Sequence, residues 1–247
     1  MNDLLAIQNI TGGYSRTSPV IHNLSFQVKP GETVGLIGLN GAGKSTTMKH
    51  ILGLLNAHSG SITIDGSTLS EQPEDFRSKI GYIPEMPLFY PELTLWEHLE
   101  LTASAYGLSD EIFHKRAEQL LKQFQMERAR NWFPDTFSKG MQQKIMILCT
   151  FLTECKYLIV DEPFVGLDPI AIDELAMLLQ QRKEKGTGIL ISTHILDMAE
   201  KLCDRYVCIH QGNIALSGTI QEMRSQAERP HATLHELFLS VVKGDRR

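Results

Sequence analysis

The chain has 247 residues, 42% hydrophobic and 21% charged, with a formal net charge of −5. That acidic balance excludes a general nucleic-acid binder, which needs a basic face to release counterions, so no nucleic-acid partner is expected. The N-terminal MNDLLAIQNITGGY has no basic stretch followed by a long apolar one, and the longest strongly apolar run, Ile145 to Leu152, is far short of the ~20 residues that span a bilayer. The expectation is a cytoplasmic protein that reaches a membrane only through a partner.

Strand-like runs come first: Leu4 to Ile10, Leu24 to Val28, Thr33 to Gly38 and Ser61 to Asp65, parted by turn signals such as Lys29-Pro30-Gly31. A helix from Lys44 to Leu55 is predicted between the last two. Strand, Gly-rich turn and helix in that order start a parallel α/β sheet. From about Met86 to Pro134 the character changes. A helix opens at Asp110 with Phe113, Ala117, Leu120, Leu121 and Phe124 on one face and Lys115, Arg116, Glu118 and Lys122 on the other, which reads as a helical insertion. Strands return as Tyr157 to Val160, Gly188 to Ser192 and Tyr206 to His210, and an amphipathic helix begins at Leu234. Cys149, Cys155, Cys203 and Cys208 lack CxxC spacing and read as small buried hydrophobes.

The segment GLNGAGKST carries chemistry. Gly38, Gly41 and Gly43 let the loop, with Asn40 and Ala42, curl so that backbone N–H groups and the helix N-terminus hold phosphate oxygens through to Thr46. Lys44 can reach the β- and γ-phosphates, and the Ser45 hydroxyl can ligate Mg²⁺. No NKxD-like guanine reader is visible, which favours ATP. After YLIV come Asp161 and Glu162, delivered by a buried strand to the carboxyl edge of the sheet. Asp161 suits Mg²⁺, and Glu162 can polarise an attacking water. Alone, the pair would read as two solvated acids; opposite a phosphate loop it does not. His194, in ISTH, also follows a buried strand, and its imidazole can donate to the γ-phosphate and hold the water near Glu162.

In this order the motifs resemble ABC-type ATPases along nearly the whole chain: the phosphate loop, GYIPE, FSKGMQQK, DEPFVGLDP and STH. The wording GLNGAGKST, YIPE, FSKGMQQK and STHILDMAE is most similar to the ATPase of the Ecs-type exporters of low-GC Gram-positive bacteria. The resemblance implies one nucleotide-binding domain over 1–247. Its fold would be a P-loop NTPase core with a mostly parallel sheet, an N-terminal antiparallel β subdomain, a helical subdomain at about 86–153 and a helical tail at 220–247.

It further implies that two copies pair head to tail with ATP between them and drive an integral membrane permease subunit from the cytoplasmic face. Ser138, Lys139, Gly140 and Met141 would then act on the partner's ATP; Ser138 is also an N-cap candidate. Tyr14 matches the aromatic that stacks on adenine, with a place in the sheet core as the alternative. Asp168 matches the loop that faces the opposite site, and is equally a helix cap before Pro169. Glu85 stands where the family has glutamine and can still ligate Mg²⁺ or water; Lys139 and Met141 replace the commonest Gly and Gln of the signature. Leu88, Phe89, Tyr90 and Trp96 either line a groove for the membrane subunit or fill the core. A soluble ABC ATPase, such as one serving iron–sulfur cluster assembly, is the alternative from another class.

Overall fold

In the computed structural model, which describes residues 4–244, the first half of the chain feeds two sheets. Its elements are β1 (Leu5–Gly12), β2 (Ile21–Val28), β3 (Thr33–Ile37), α1 (Lys44–Ile51), β4 (Ser59–Ile64), β5 (Ser67–Thr68), α2 (Pro73–Ser78) and β6 (Ile80–Ile83). β2, β1, β4 and β5 form an antiparallel sheet in that order. β3 and β6 leave it for a second sheet. The predicted helix Lys44 to Leu55 stops early: Leu52 caps α1, Gly53 turns left-handed at φ 70°, and the Leu54 N–H returns to the Lys49 carbonyl at 2.8 Å. That is a Schellman stop, which periodicity does not show.

Three helices follow: α3 (Leu95–Ala105), α4 (Asp110–Gln123) and α5 (Lys139–Leu152). Each has a hydroxyl N-cap, Thr94, Ser109 and Ser138, whose oxygen accepts from the N3 amide. Leu99, Phe113, Leu121 and Leu148 join them in one core with Leu158 and Val160. Trp96 is partly buried and packs against this core: its ring lies 4.9 Å from Phe113 and under the Arg130 guanidinium. Leu88 and Tyr90 are exposed and Phe89 is half-buried, so the four aromatic-stretch residues divide between core and surface.

The chain then lays down β7 (Tyr157–Asp161), α6 (Pro169–Glu184), β8 (Gly188–Thr193), α7 (Leu196–Leu202), β9 (Arg205–His210), β10 (Asn213–Gly218), α8 (Ile220–Gln226) and α9 (Leu234–Lys243). The second sheet runs β10-β9-β3-β8-β7-β6, parallel except for β10. β3, β7 and β8 are buried at every position because helices and the other sheet cover both faces. α8 and α9 pack Met223, Leu234 and Leu237 against Ile37 and Cys208. Residues 1–3, at the start of the N-terminal segment MNDLLAIQNITGGY, and 245–247, at the end of the expected tail, lie outside the described residues.

Candidate active site

β8 lies between β3 and β7, with Ile37 level with Thr193 and Asp161 level with Ser192. The loops leaving these three strands therefore meet at one carboxyl edge of the sheet, where open α/β sheets place ligands. A cavity of about 510 Å³ opens there, lined by Tyr14, Asn40, Gly41, Gly43, Lys44, Ser45, Thr46, Glu85, Glu162 and His194. Gly38 and Ala42 stand behind the loop: Ala42 is buried, and the Gly38 carbonyl accepts from Lys44 at 2.9 Å. Gly43 caps α1 at φ 115°, and a Cβ there would come within 2.7 Å of Ile21. Only glycine fits that left-handed, crowded position.

Lys44, Asp161 and Glu162 are buried at this edge, whereas Glu85 and His194 are exposed. The Lys44 ammonium, 5% exposed, sits 3.4 Å from Glu162 Oε1. His194 approaches Oε2 of the same carboxylate through Nδ1 at 2.9 Å and through its backbone N–H at 3.2 Å. A carboxylate at Nδ1 makes that nitrogen the donor, so the ring donates through Nε2 only when doubly protonated. Glu162 Oε1 is buried with no hydrogen-bond partner. Glu162 also holds φ at 44°, a left-handed conformation uncommon for a side-chain-bearing residue.

Asp161 accepts from Ser45 Oγ at 3.3 Å and from Ser192 Oγ. The Ser45 hydroxyl, Asp161 and Glu85 supply hard oxygen donors, the kind that suits Mg²⁺. Among the described residues no group of three or more His, Cys, Asp or Glu side chains forms a metal cage. Burial, together with the negative charges of Asp161 and Glu85, pushes the Tyr82 hydroxyl up to about 12, so it stays protonated.

Ser138, Lys139, Gly140 and Met141 do not line the cavity. Ser138 and Lys139 are exposed at the start of α5, where Ser138 Oγ accepts from the Met141 amide at 3.3 Å. Gly140 is pressed against the chain's own 163–168 loop, and a Cβ on it would collide with the Gly166 carbonyl. Asp168 caps α6 by accepting from the Ala171 amide at 2.9 Å and pairs with Lys144 at 2.9 Å, which lowers its carboxyl below the usual range. Tyr14 is 65% exposed, which rules out a place in the sheet core.

The family model described as "ABC transporter" matches residues 21–165. The chain belongs to the ABC transporter family. It is 52% identical to the ABC-type transporter ATP-binding protein EcsA of Bacillus subtilis, over 98% of each chain. Its fold superposes on a solved ATP-binding subunit of an ABC transporter with a TM-score of 0.93 at 48% identity, covering 97% of this chain and 99% of the other. A dimeric post-hydrolysis state of the ATP-binding cassette MJ0796, bound to ADP and Pi, superposes at 0.79 with 25% identity, over 87% and 98% of the two chains. The protein is thus an ATP-binding, ATP-hydrolysing ABC transporter subunit, and the iron–sulfur assembly alternative finds no support in these relatives.

For this ABC ATPase, sequence reasoning missed three residues that set the site. Ser192 Oγ donates to Asp161 and accepts from the Glu162 amide at 3.0 Å, so one buried hydroxyl holds both acids. Gln143 and Thr150, two turns apart on α5, donate to the carbonyls of Pro84 at 2.9 Å and Tyr82 at 2.8 Å. Tyr82 lies on the edge strand β6 and Pro84 just beyond its end, so these side chains give α5 donors to carbonyls at the edge of the sheet. The available signal was a polar residue at a buried helical position: Gln143 is 2% exposed.

Proposed function

We propose that this subunit drives a separate transmembrane partner, in the direction of export, by closing head to tail on a second copy of itself around ATP. The observation that carries the chemistry is Glu162. It is a buried acid at the cavity edge with one oxygen held by His194 and the other facing Lys44 without a hydrogen bond. A triphosphate in the Gly38–Thr46 loop competes for the Lys44 ammonium, and Oε1 is then free to accept a proton from the attacking water. His194 keeps the carboxylate oriented while this happens. Mg²⁺, held through Ser45, Asp161 and Glu85, would supply charge neutralisation at the phosphates.

Tyr14 serves as the adenine platform. Ser138 and Lys139 are exposed at a helix N-terminus with Gly140 and Met141 half-buried behind them, a placement suited to the phosphates of a second copy's ATP. Residues 86–153 act as a helical subdomain and 220–247 as a tail of the single domain. No helix among the described residues is long and apolar enough to cross a membrane. In this reading a separate permease carries the cargo, and the subunit works from the cytoplasmic face. The export reading rests on the resemblance of GLNGAGKST, YIPE, FSKGMQQK and STHILDMAE to the Ecs-type exporters.

The test is Glu162→Gln in the purified protein. It should keep ATP affinity, accumulate an ATP-dependent dimer in size-exclusion chromatography and lower turnover by about 10²–10⁴. Turnover at the wild-type rate would remove Glu162 from its role.

A further inference from the structure

We infer that Lys49 is a positioning residue for the nucleobase, fixing the Tyr14 ring at the mouth of the phosphate cavity; this rests on Tyr14 being the base platform. Tyr14 leaves β1 in a short loop closed by the Val20 amide on the Gly12 carbonyl at 2.7 Å. Its ring lines the cavity yet is mostly exposed, so little packing holds it. What holds it is Lys49, whose ammonium donates to the Tyr14 hydroxyl at 3.1 Å and stands 5.3 Å from the ring centroid. Those two distances put the cation off the hydroxyl end of the ring, which leaves a ring face free for a base.

Lys49 itself is half-buried, and among the described residues no carboxylate lies within ion-pair distance of it. A cation without an acidic partner, bonded to an exposed tyrosine, is placed for something other than an internal ion pair. It stands on α1, five residues after Lys44, so the helix that presents the phosphate loop also carries the tether of the ring. At ~1.5 Å rise per residue the two lysines are offset by about 7.5 Å along the axis. The spacing between the phosphate subsite and the base platform is thereby set by one rigid element, and ATP meets an ordered ring rather than ordering one. Immobilising such a side chain in advance corresponds to roughly two- to tenfold in affinity.

The experiment measures binding of ATP and of tripolyphosphate, which has no base, to the full chain and to Lys49→Met, Lys49→Arg, Tyr14→Phe and the Lys49→Met/Tyr14→Phe pair by calorimetry. The expected result is that Lys49→Met weakens ATP about two- to tenfold while tripolyphosphate is unchanged. Lys49→Arg should retain wild-type affinity, and Lys49→Met should cost nothing further once the Tyr14 hydroxyl is gone. Equal weakening of tripolyphosphate, or losses that multiply in the double variant, would overturn the inference and make Lys49 a plain electrostatic contact. A Tyr14→Ala control separates the two levels. If it leaves the ratio of ATP to tripolyphosphate affinity at the wild-type value, the platform reading of Tyr14 fails first, whatever Lys49 does.

Discussion

At the scale of the residue, the site depends on a few side chains that satisfy two neighbours at once. Ser192 is fully buried between Asp161 and the Glu162 backbone, and the left-handed turn at Glu162 is held by that contact and by the Ser192 carbonyl at 3.2 Å. Ser192→Ala leaves a buried N–H with only the carbonyl and a carboxylate oxygen with one donor fewer. The expected cost is about 1–3 kcal/mol of stability, read by chemical denaturation. Because it acts on the acids rather than on the phosphate loop, it should lower kcat more than it raises KM for ATP. The cysteines take no part: burial pushes Cys149 and Cys155 up to about 11 and Cys203 and Cys208 up to about 12, well above the range of a reactive thiolate.

At the scale of the element, α1 joins two functions. Its N-terminus forms the phosphate loop, and its last turn buries His50 against Gly12, just ahead of Tyr14. His50 Nδ1 bonds the Leu55 carbonyl at 3.0 Å while Nε2 is buried without a partner. Burial lowers its pKa, with the nearby His58 adding to the effect and the Leu55 bond opposing it. The folded state thus binds a proton less readily than the unfolded chain, whose value is about 6.5. The stability this residue contributes is present above pH about 6.5 and is lost as pH falls through the lowered folded value. Melting temperatures measured from pH 7.5 to 5.5 should fall, and His50→Gln should flatten that slope.

α5 is the other element of this kind. Its first turn carries Ser138 and Gly140, and its body ties down the strand that leads to Glu85 through Gln143 and Thr150. Gln143→Met keeps the volume and removes the donor to Pro84. It should raise the Mg²⁺ concentration needed for half-maximal ATPase activity, because the Glu85 loop loses its tether; an unchanged Mg²⁺ requirement would separate Gln143 from Glu85.

At the scale of the whole molecule, the exposed apolar side chains of Met86, Leu88 and Tyr90 follow Glu85 directly. Exposed apolar side chains of that size on a loop next to the site are the expected surface for a partner. Replacing all three with serine should abolish copurification with a multi-span membrane protein from detergent-solubilised cells and leave ATP hydrolysis by the isolated subunit intact. Loss of hydrolysis as well would show that the loop serves the site rather than the partner.

How far the sequence reached can be judged from particular elements. GLNGAGKST, DEP and STH specify their turns locally, because glycines, a helix start and continuous apolar strands act over a few residues. Their convergence on one sheet edge was therefore legible, as were the Ser138 and Asp168 caps. The resemblance extended this to the family, since order and spacing of motifs survive without coordinates. Ser192, Gln143, Thr150 and Lys49 were not legible in a role, because each bonds to a residue that is distant in sequence or lies across a turn. The same holds for Trp96 turning inward while Leu88 and Tyr90 stay exposed. The sequence by itself determined the chemistry and the order of elements. Only the tertiary structure decided which strand lies beside which, and hence which buried hydroxyl, amide or ammonium orients each reacting group.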